Sequence, residues 1–369
     1  MPLFGSYRRS SKLVSTLSPE EPIQLVSSHL TPARTMRPSM SNFSKTSSES
    51  ASGPFRAADL APNKLLGNWQ LENIVSAGPF TNVYFARPLG CPPSWPADYV
   101  VKVLNPKHTT DPVAVNALRR EAEVGRHSSH PNLVPILEAQ FNEGRPHLVM
   151  PRLGGAALNA AISGIGQLAV SQALWISRQV AQALRHLHAK GWVHADVKPA
   201  NMVVSEDGHA TLIDLGSTLR PDESIFAWQR PVVGTLKYVA PELLISATQT
   251  NPSSDIYSLG ISLFEMLAGH PPFATNEPEE LVEAHLSHAA PDVVDLRTDV
   301  PDRVGRLLRG MLAKDPLRRP QSADEVVNQL ASLEIETLDS RFDQGRPTAV
   351  HAPNRVRCRS NDVPSIEPS

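Results

Sequence analysis

Eight consecutive residues constrain this 369-residue chain more than any other feature: His194-Ala195-Asp196-Val197-Lys198-Pro199-Ala200-Asn201, ahead of the apolar Met202-Val203-Val204. A carboxylate, an ammonium group and an amide fall within six positions. Asp196 can accept the proton of an attacking hydroxyl. Lys198 is a point cation able to neutralise charge on transferred phosphoryl oxygens, and the Asn201 side-chain carbonyl suits a hard divalent metal. The same string alone also fits a polar loop between a helix and a strand, so the rest of the chain decides.

Length allows a two-lobed domain of about 260–280 residues plus tails. The net charge of −2 gives no reason to expect nucleic acid or an anionic membrane as partner. Two cysteines, Cys91 and Cys358, cannot build a disulfide framework, and a reduced cytoplasmic setting is expected. No apolar run approaches a membrane span, so no anchor is expected. The N-terminus has Arg8, Arg9 and Lys12 but no apolar core, which argues against a secretory signal.

Residues 1–62 are rich in Ser, Thr, Pro and Ala without sustained periodicity, and 336–369 turn polar again; both are expected to be disordered tails. Between them, 63–335 read as one domain of two parts. The first, about 68–150, has short strand-like runs at Gln70–Val75, Asn82–Ala86, Tyr99–Leu104, Leu133–Ala139 and His147–Met150. A helix at Pro112–His127 interrupts them. Pro88–Pro96 reads as a surface insertion. The second part, about 154–333, is mostly helical, with apolar spacing of three and four residues in Ala173–Leu187 and a buried-looking helix at Asp255–Leu267. The fold class is α+β, a small sheet-rich lobe followed by a larger helical one.

Three further segments carry chemistry. Val100-Val101-Lys102-Val103-Leu104 sets a lysine in an apolar strand, where an ammonium needs an anion. Glu121 and Glu123 compete for that role, on different faces of the helix. Ala210-Thr211-Leu212-Ile213-Asp214-Leu215-Gly216 runs from a strand into an acid. Val75-Ser76-Ala77-Gly78-Pro79-Phe80-Thr81-Asn82-Val83 resembles a phosphate-cradling hairpin with few glycines.

Together these segments resemble the protein kinase family over roughly residues 68–333. The first stretch is similar to the H-R-D-x-x-x-x-N loop, with Ala195 in place of Arg; the next two are similar to the strand lysine and the D-F-G motif, with Leu215 in place of Phe. Gly234-Thr235-Leu236-Lys237-Tyr238-Val239-Ala240-Pro241-Glu242 is similar to G-T-x-x-Y-x-A-P-E. The resemblance implies a two-lobed protein-kinase fold of the bacterial eukaryotic-like type and a serine/threonine specificity, from Lys198. It implies ATP and Mg²⁺ as cofactors, with Mn²⁺ a possible substitute, and a protein substrate with Ser or Thr acceptors, the chain itself included. Asp196, Lys198 and Thr235 take the catalytic places; Asn201 and Asp214 take the metal. Ser76, Gly78 and Val83 line the phosphate loop, and Lys102 holds the α- and β-phosphates, oriented by Glu121 on registration against His130-Pro131-Asn132. Met150, Pro151 and Leu153 border the adenine. Glu242 is expected to pair with Arg319, and Asp255 to hold the catalytic loop.

Two departures matter. Ala195 lacks the arginine that docks an activation-segment phosphate in many kinases. Ser217, Thr218 and Ser224 are the only hydroxyls between Asp214 and Thr235. A kinase that orders itself without loop phosphorylation is the expected consequence. The alternatives are a pseudokinase that binds nucleotide or partners with little turnover, which the poor glycine loop favours, and a kinase of small alcohols, which the Gly234–Glu242 segment disfavours. His127, His130, His186 and His188 have no Cys or carboxylate at metal spacing and read as structural, like His194. Trp69, Trp175 and Trp192 read as packing, and Trp228 as a contact for substrate.

Overall fold

A computed structural model describes residues 64–344 except 222, 224–235, 246–249 and 276, with side chains described up to Thr337. Thr235, Ser224, Trp228 and both expected tails (1–62 and beyond 344) lie outside the described residues. The first lobe is an antiparallel sheet of β1 (Leu65–Leu66), β2 (Trp69–Ala77), β3 (Thr81–Pro88), β4 (Tyr99–Leu104), β5 (Glu138–Gln140) and β6 (His147–Pro151). Its order is β1-β2-β3-β4-β6-β5. Between β4 and β5 comes α1 (Pro112–His127). Its start is set by Asp111, whose side chain accepts from Val113 N at 2.9 Å, and by Pro112, whose missing N–H costs nothing in a first turn.

Strand alternation divides the sheet between two apolar layers. Val101 and Val103 face Trp69, Leu71 and Ala86 on one side. Val100 and Leu104 face Leu118 and Ala122 of α1 on the other. Lys102 shares the parity of Val100 and Leu104, so the pleat aims it at α1.

The second lobe contains α2 (Leu158–Ile165), α3 (Val170–Ala189), α4 (Pro241–Ile245), α5 (Pro252–Ala268), α6 (Pro278–Ser287), α7 (Val293–Leu296), α8 (Asp302–Met311) and α9 (Ala323–Gln344). It also holds a small sheet of β7 (Ala156–Ala157), β8 (Met202–Val204) and β9 (Ala210–Leu212), in that order. Gly155 opens this lobe at φ +96°, where an added Cβ would collide with the Val204 carbonyl oxygen, so the crossing needs glycine. Helix α5 is buried nearly all round: Ile256, Tyr257, Leu259, Ile261, Leu263, Phe264, Met266 and Leu267 are buried, and so are the polar Ser254, Asp255, Ser258 and Ser262. Such a helix belongs at the centre of a lobe. Asn251 caps it through Ser253 N at 2.8 Å, Pro252 begins it, and Gly269 ends it at φ +82° with its N–H on Glu265 O.

The described elements differ from the sequence expectation in two places. Of Leu133–Ala139 only Glu138 and Ala139 are strand in the first sheet, as the start of β5; the part before Glu138 is not. Val134 N instead donates to Leu212 O, and Leu212 N to Asn132 O, tying the segment to β9 of the other lobe. Pro135 has no N–H to continue a ladder. At the far end, α9 runs to Gln344, past the boundary near 335 suggested by polarity. Its buried stripe of Val326, Leu330, Leu333 and Thr337 keeps helical spacing, so polarity on the outer face did not end the helix. The Pro88–Pro96 insertion is irregular and is held by Arg87, whose Nη1 donates to the carbonyls of Pro92 and Trp95. Trp69 and Trp192 are buried, but Trp175 is 43% exposed, its indole N–H donating to Gly208 O.

Candidate active site

The catalytic-loop residues converge on one carboxylate. Lys198 Nζ donates to both Asp196 oxygens at 2.8 Å. Asn201 Nδ2 donates to Asp196 O at 2.8 Å and to Oδ2 at 2.9 Å. Val197 is buried beneath the loop. His194 is fully buried and its Nδ1 accepts from Asp196 N at 3.3 Å, as suits a residue that shapes the loop.

A second cluster hangs from the first sheet. Lys102 Nζ lies 2.7 Å from Glu121 Oε2 and 2.9 Å from Asp214 Oδ1. Burial alone would lower the lysine pKa, but the Asp214 and Glu121 carboxylates outweigh it and raise it above the usual lysine range. The amine is therefore a fixed cation. Glu123 lies elsewhere, 3.9 Å from Arg120 and half exposed. The Glu121 side chain is 2% exposed and that of Asp214 39%, so Asp214 is the acid open to a ligand. Asp214 sits at φ +64°, a conformation uncommon outside glycine. Gly216 lets α1 come close: a Cβ there would stand 3.2 Å from Ala117 O and 3.4 Å from Glu121 Oε2.

One backbone bond joins the clusters. Ile213 N donates to Asn201 O at 2.9 Å, placing Asp214 next after the residue that grips the catalytic loop. Both Asn201 amide hydrogens are committed to Asp196, which leaves its carbonyl oxygen for a cation. An amide oxygen and an open carboxylate are hard donors of the kind Mg²⁺ takes alongside phosphate oxygens, so these residues fit the metal the resemblance implies. Among the described residues no cluster of three or more His, Cys, Asp or Glu is placed to hold a metal by itself.

The phosphate-loop residues form the β2–β3 turn. Gly78 N donates to Thr81 O at 2.8 Å, and a Cβ on Gly78 would stand 3.0 Å from that oxygen. Ser76 is exposed near the tip. Val83 pairs directly with Lys102 across β3 and β4. Sequence reasoning missed Asn105, whose Nδ2 donates to the carbonyls of Gly78 and Pro79 at 3.0 and 3.1 Å while its N–H donates to Phe80 O at 2.8 Å. Only its place just after the lysine strand could have signalled this. At the lobe junction Met150 is buried opposite Val100, Pro151 pairs with Tyr99, and Leu153 is half-buried. Arg152 N ties the crossing to Asp98 O at 2.8 Å.

Supports hold the floor. Asp255, 1% exposed, accepts from His194 N and Ala195 N, both at 2.8 Å, and lies 2.8 Å from His188 Nε2. Glu242 and Arg319 form a bidentate buried pair at 2.7 and 2.8 Å, and Ser254 Oγ donates to Glu242 at 2.7 Å. Tyr238, at the return of the segment after Asp214, is tied to α5 through Glu265 and Ser258, each at 2.7 Å.

The family model for the protein kinase domain matches residues 89–330. It begins after the phosphate loop, the segment that departs most from the family pattern. Serine/threonine-protein kinase PknA of Mycobacterium tuberculosis is 30% identical over 79% of this chain and 67% of its own length. Serine/threonine-protein kinase PrkC of Bacillus subtilis is 28% identical over 72% of this chain and 40% of its own. The chain spans less than half the length of some relatives it matches, 42% for one from Clostridium perfringens. With two lobes, a strand lysine bonded to a helix glutamate and this match over most of its length, the chain belongs to the protein kinase family, among its bacterial serine/threonine members that resemble eukaryotic kinases.

Proposed function

We propose that the chain is a serine/threonine protein kinase that transfers the γ-phosphoryl group of Mg·ATP to hydroxyls of protein substrates, with Mn²⁺ able to replace Mg²⁺. The observation that carries this is the bond from Ile213 N to Asn201 O, which joins an Asp196–Lys198–Asn201 cluster to a Lys102–Glu121–Asp214 cluster. Asp196 takes the proton of the acceptor hydroxyl as the new oxygen–phosphorus bond forms and the bond from γ-phosphorus to the bridging oxygen breaks, releasing ADP. Lys198, beside Asp196, meets the charge of the γ-phosphoryl oxygens. Lys102, fixed by Glu121, holds the α- and β-phosphates. Asn201 and Asp214 would hold the metal, whose chemistry is neutralisation of β- and γ-phosphate charge. Ser76, Gly78 and Val83 cover the phosphates, and the backbones of Pro151 and Leu153 with Met150 behind them border the adenine. Thr235 completes the acceptor site. Signalling in the cytoplasm, where ATP is plentiful, is part of the same proposal.

The test is label transfer from γ-labelled ATP to the chain itself and to a generic basic protein, with Mg²⁺ or Mn²⁺, beside Asp196→Asn. Transfer to Ser and Thr should fall by about two orders of magnitude or more in the variant. Nucleotide binding without any transfer by the natural chain would replace this proposal with the pseudokinase. Transfer to a small alcohol in preference to protein would replace it with a small-molecule kinase.

A further inference from the structure

Beside the Lys102 cluster lies an ion pair that the proposed chemistry does not use. Arg120 precedes Glu121 on α1, yet its guanidinium reaches the segment after Asp214. Nη1 donates to Glu223 Oε2 at 2.5 Å and Nη2 to Oε1 at 2.9 Å. Glu223 Oε2 also accepts from Arg220 N at 3.1 Å. The guanidinium groups of Arg120 and Arg220 both lie over the Trp192 ring, 5.0 and 4.2 Å from its centre. Trp192 is 5% exposed and enters the catalytic loop two residues before His194. Its neighbour Val193 exchanges both backbone bonds with Leu219, at 2.8 and 2.9 Å.

Three parts of the site therefore meet here: the helix that carries Glu121, the entry to the catalytic loop, and the segment that follows Asp214. An isolated exposed ion pair would hold them weakly. This one is bidentate, takes a third donor from the backbone, and rests on a buried indole that accepts two cations on its π-surface. The Glu223 carboxyl is held below the usual glutamate range, chiefly by its bond to Arg120, so it stays ionised at neutral pH. Meanwhile the catalytic loop offers only the methyl group of Ala195 where a cation could have gripped this segment. Thr218, one of the hydroxyls of this segment, is 1% exposed and donates to Leu215 O at 2.7 Å, so it is not presented for modification.

We propose that Arg120 and Glu223 are a positioning pair, a permanent carboxylate–guanidinium clamp built into the chain. It holds the segment after Asp214 against α1 and so keeps Glu121 on Lys102 without a phosphate. The effect on turnover rests on the kinase reading; the clamp itself does not.

The experiment compares the full chain with Arg120→Ala, Glu223→Ala, Glu223→Gln and the double exchange Arg120→Glu/Glu223→Arg. Two readouts are taken: hydrogen exchange of amides 113–127 and 215–220, and kcat and KM for transfer from ATP to protein. Each single variant should speed exchange in both segments and lower kcat/KM by roughly three- to tenfold, as expected when the competent arrangement is less populated. The double exchange should recover part of both losses, which a merely structural role for either residue would not produce. If Arg120→Ala fails to fold, Glu223→Gln, equal in shape and lacking the charge, carries the test. Single variants indistinguishable from the natural chain, or a double exchange no better than either, overturn the clamp. If the natural chain transfers no phosphoryl group, the kinase reading fails, and the exchange rates still decide whether the clamp exists.

Discussion

Asp255 accepts hydrogen bonds from the backbone amides of both His194 and Ala195, at 2.8 Å each, and Ala195 stands at φ +61°. A non-glycine residue in that region costs about 1–2 kcal/mol, so the carboxylate of α5 holds the strained peptide immediately before Asp196. Asp255→Asn keeps the size but replaces one acceptor oxygen with a donor facing an N–H. Stability should fall by about 1–3 kcal/mol and kcat by at least about tenfold, read from urea unfolding and steady-state kinetics. Ala195→Gly, relieving the same strain, should instead stabilise by about 0.5–1 kcal/mol.

Asn105 fastens the phosphate loop through the carbonyls of Gly78 and Pro79. With only one glycine in the loop, this side chain replaces local conformational constraint with a tether from β4. On the proposed function, in which the β2–β3 turn covers the phosphates, Asn105→Ala should raise KM for ATP several-fold and change kcat less, because the tether would then arrange ground-state contacts. Equal losses in kcat and kcat/KM would place Asn105 in the transition state instead.

Arg319 is buried against Glu242, with carbonyls of Ser253, Ala313 and Lys314 as further acceptors. Arg319→Met leaves a buried carboxylate with Ser254 as its remaining described partner, and should cost about 3–5 kcal/mol in chemical denaturation. Arg319→Met combined with Glu242→Leu should recover much of that loss, since both charges are then removed.

His285 is fully buried, bonded to Tyr257 Oη at 2.9 Å, with Lys314 close by. Burial first, and the Lys314 charge second, push its pKa down to about 4. The folded value is below the unfolded one, so the unfolded chain binds more protons between about pH 6.5 and 4. Stability from the neutral imidazole is complete above that window and lost as pH falls through it, by up to about 3 kcal/mol. Thermal unfolding across pH 4–7 should show the fall, and His285→Gln should flatten it.

Much of the candidate site could be proposed from the sequence because the groups it assembles are local. Asp196, Lys198 and Asn201 lie within six residues, and their geometry follows from one loop. Lys102 announced itself as a cation in an apolar strand, and Pro112–His127 as a helix whose bounds the fold reproduces. The front of Leu133–Ala139, before β5 begins at Glu138, misled because its apolar character serves an attachment to β9 rather than a strand, and only the partner's position distinguishes the two.

What the sequence determined by itself was the set of elements and the ionisable groups each must present, since periodicity and burial of charge act over a few residues. Tertiary structure decided which distant groups meet. Asp214 reaches Lys102 across 112 positions, Glu223 reaches Arg120 across 103, and Asp255 grips Ala195 across 60. The physical reason is that each such bond requires packed helices and sheets to fix both ends beforehand. Loop closure over those lengths is costly, and no local preference of the chain specifies the partner.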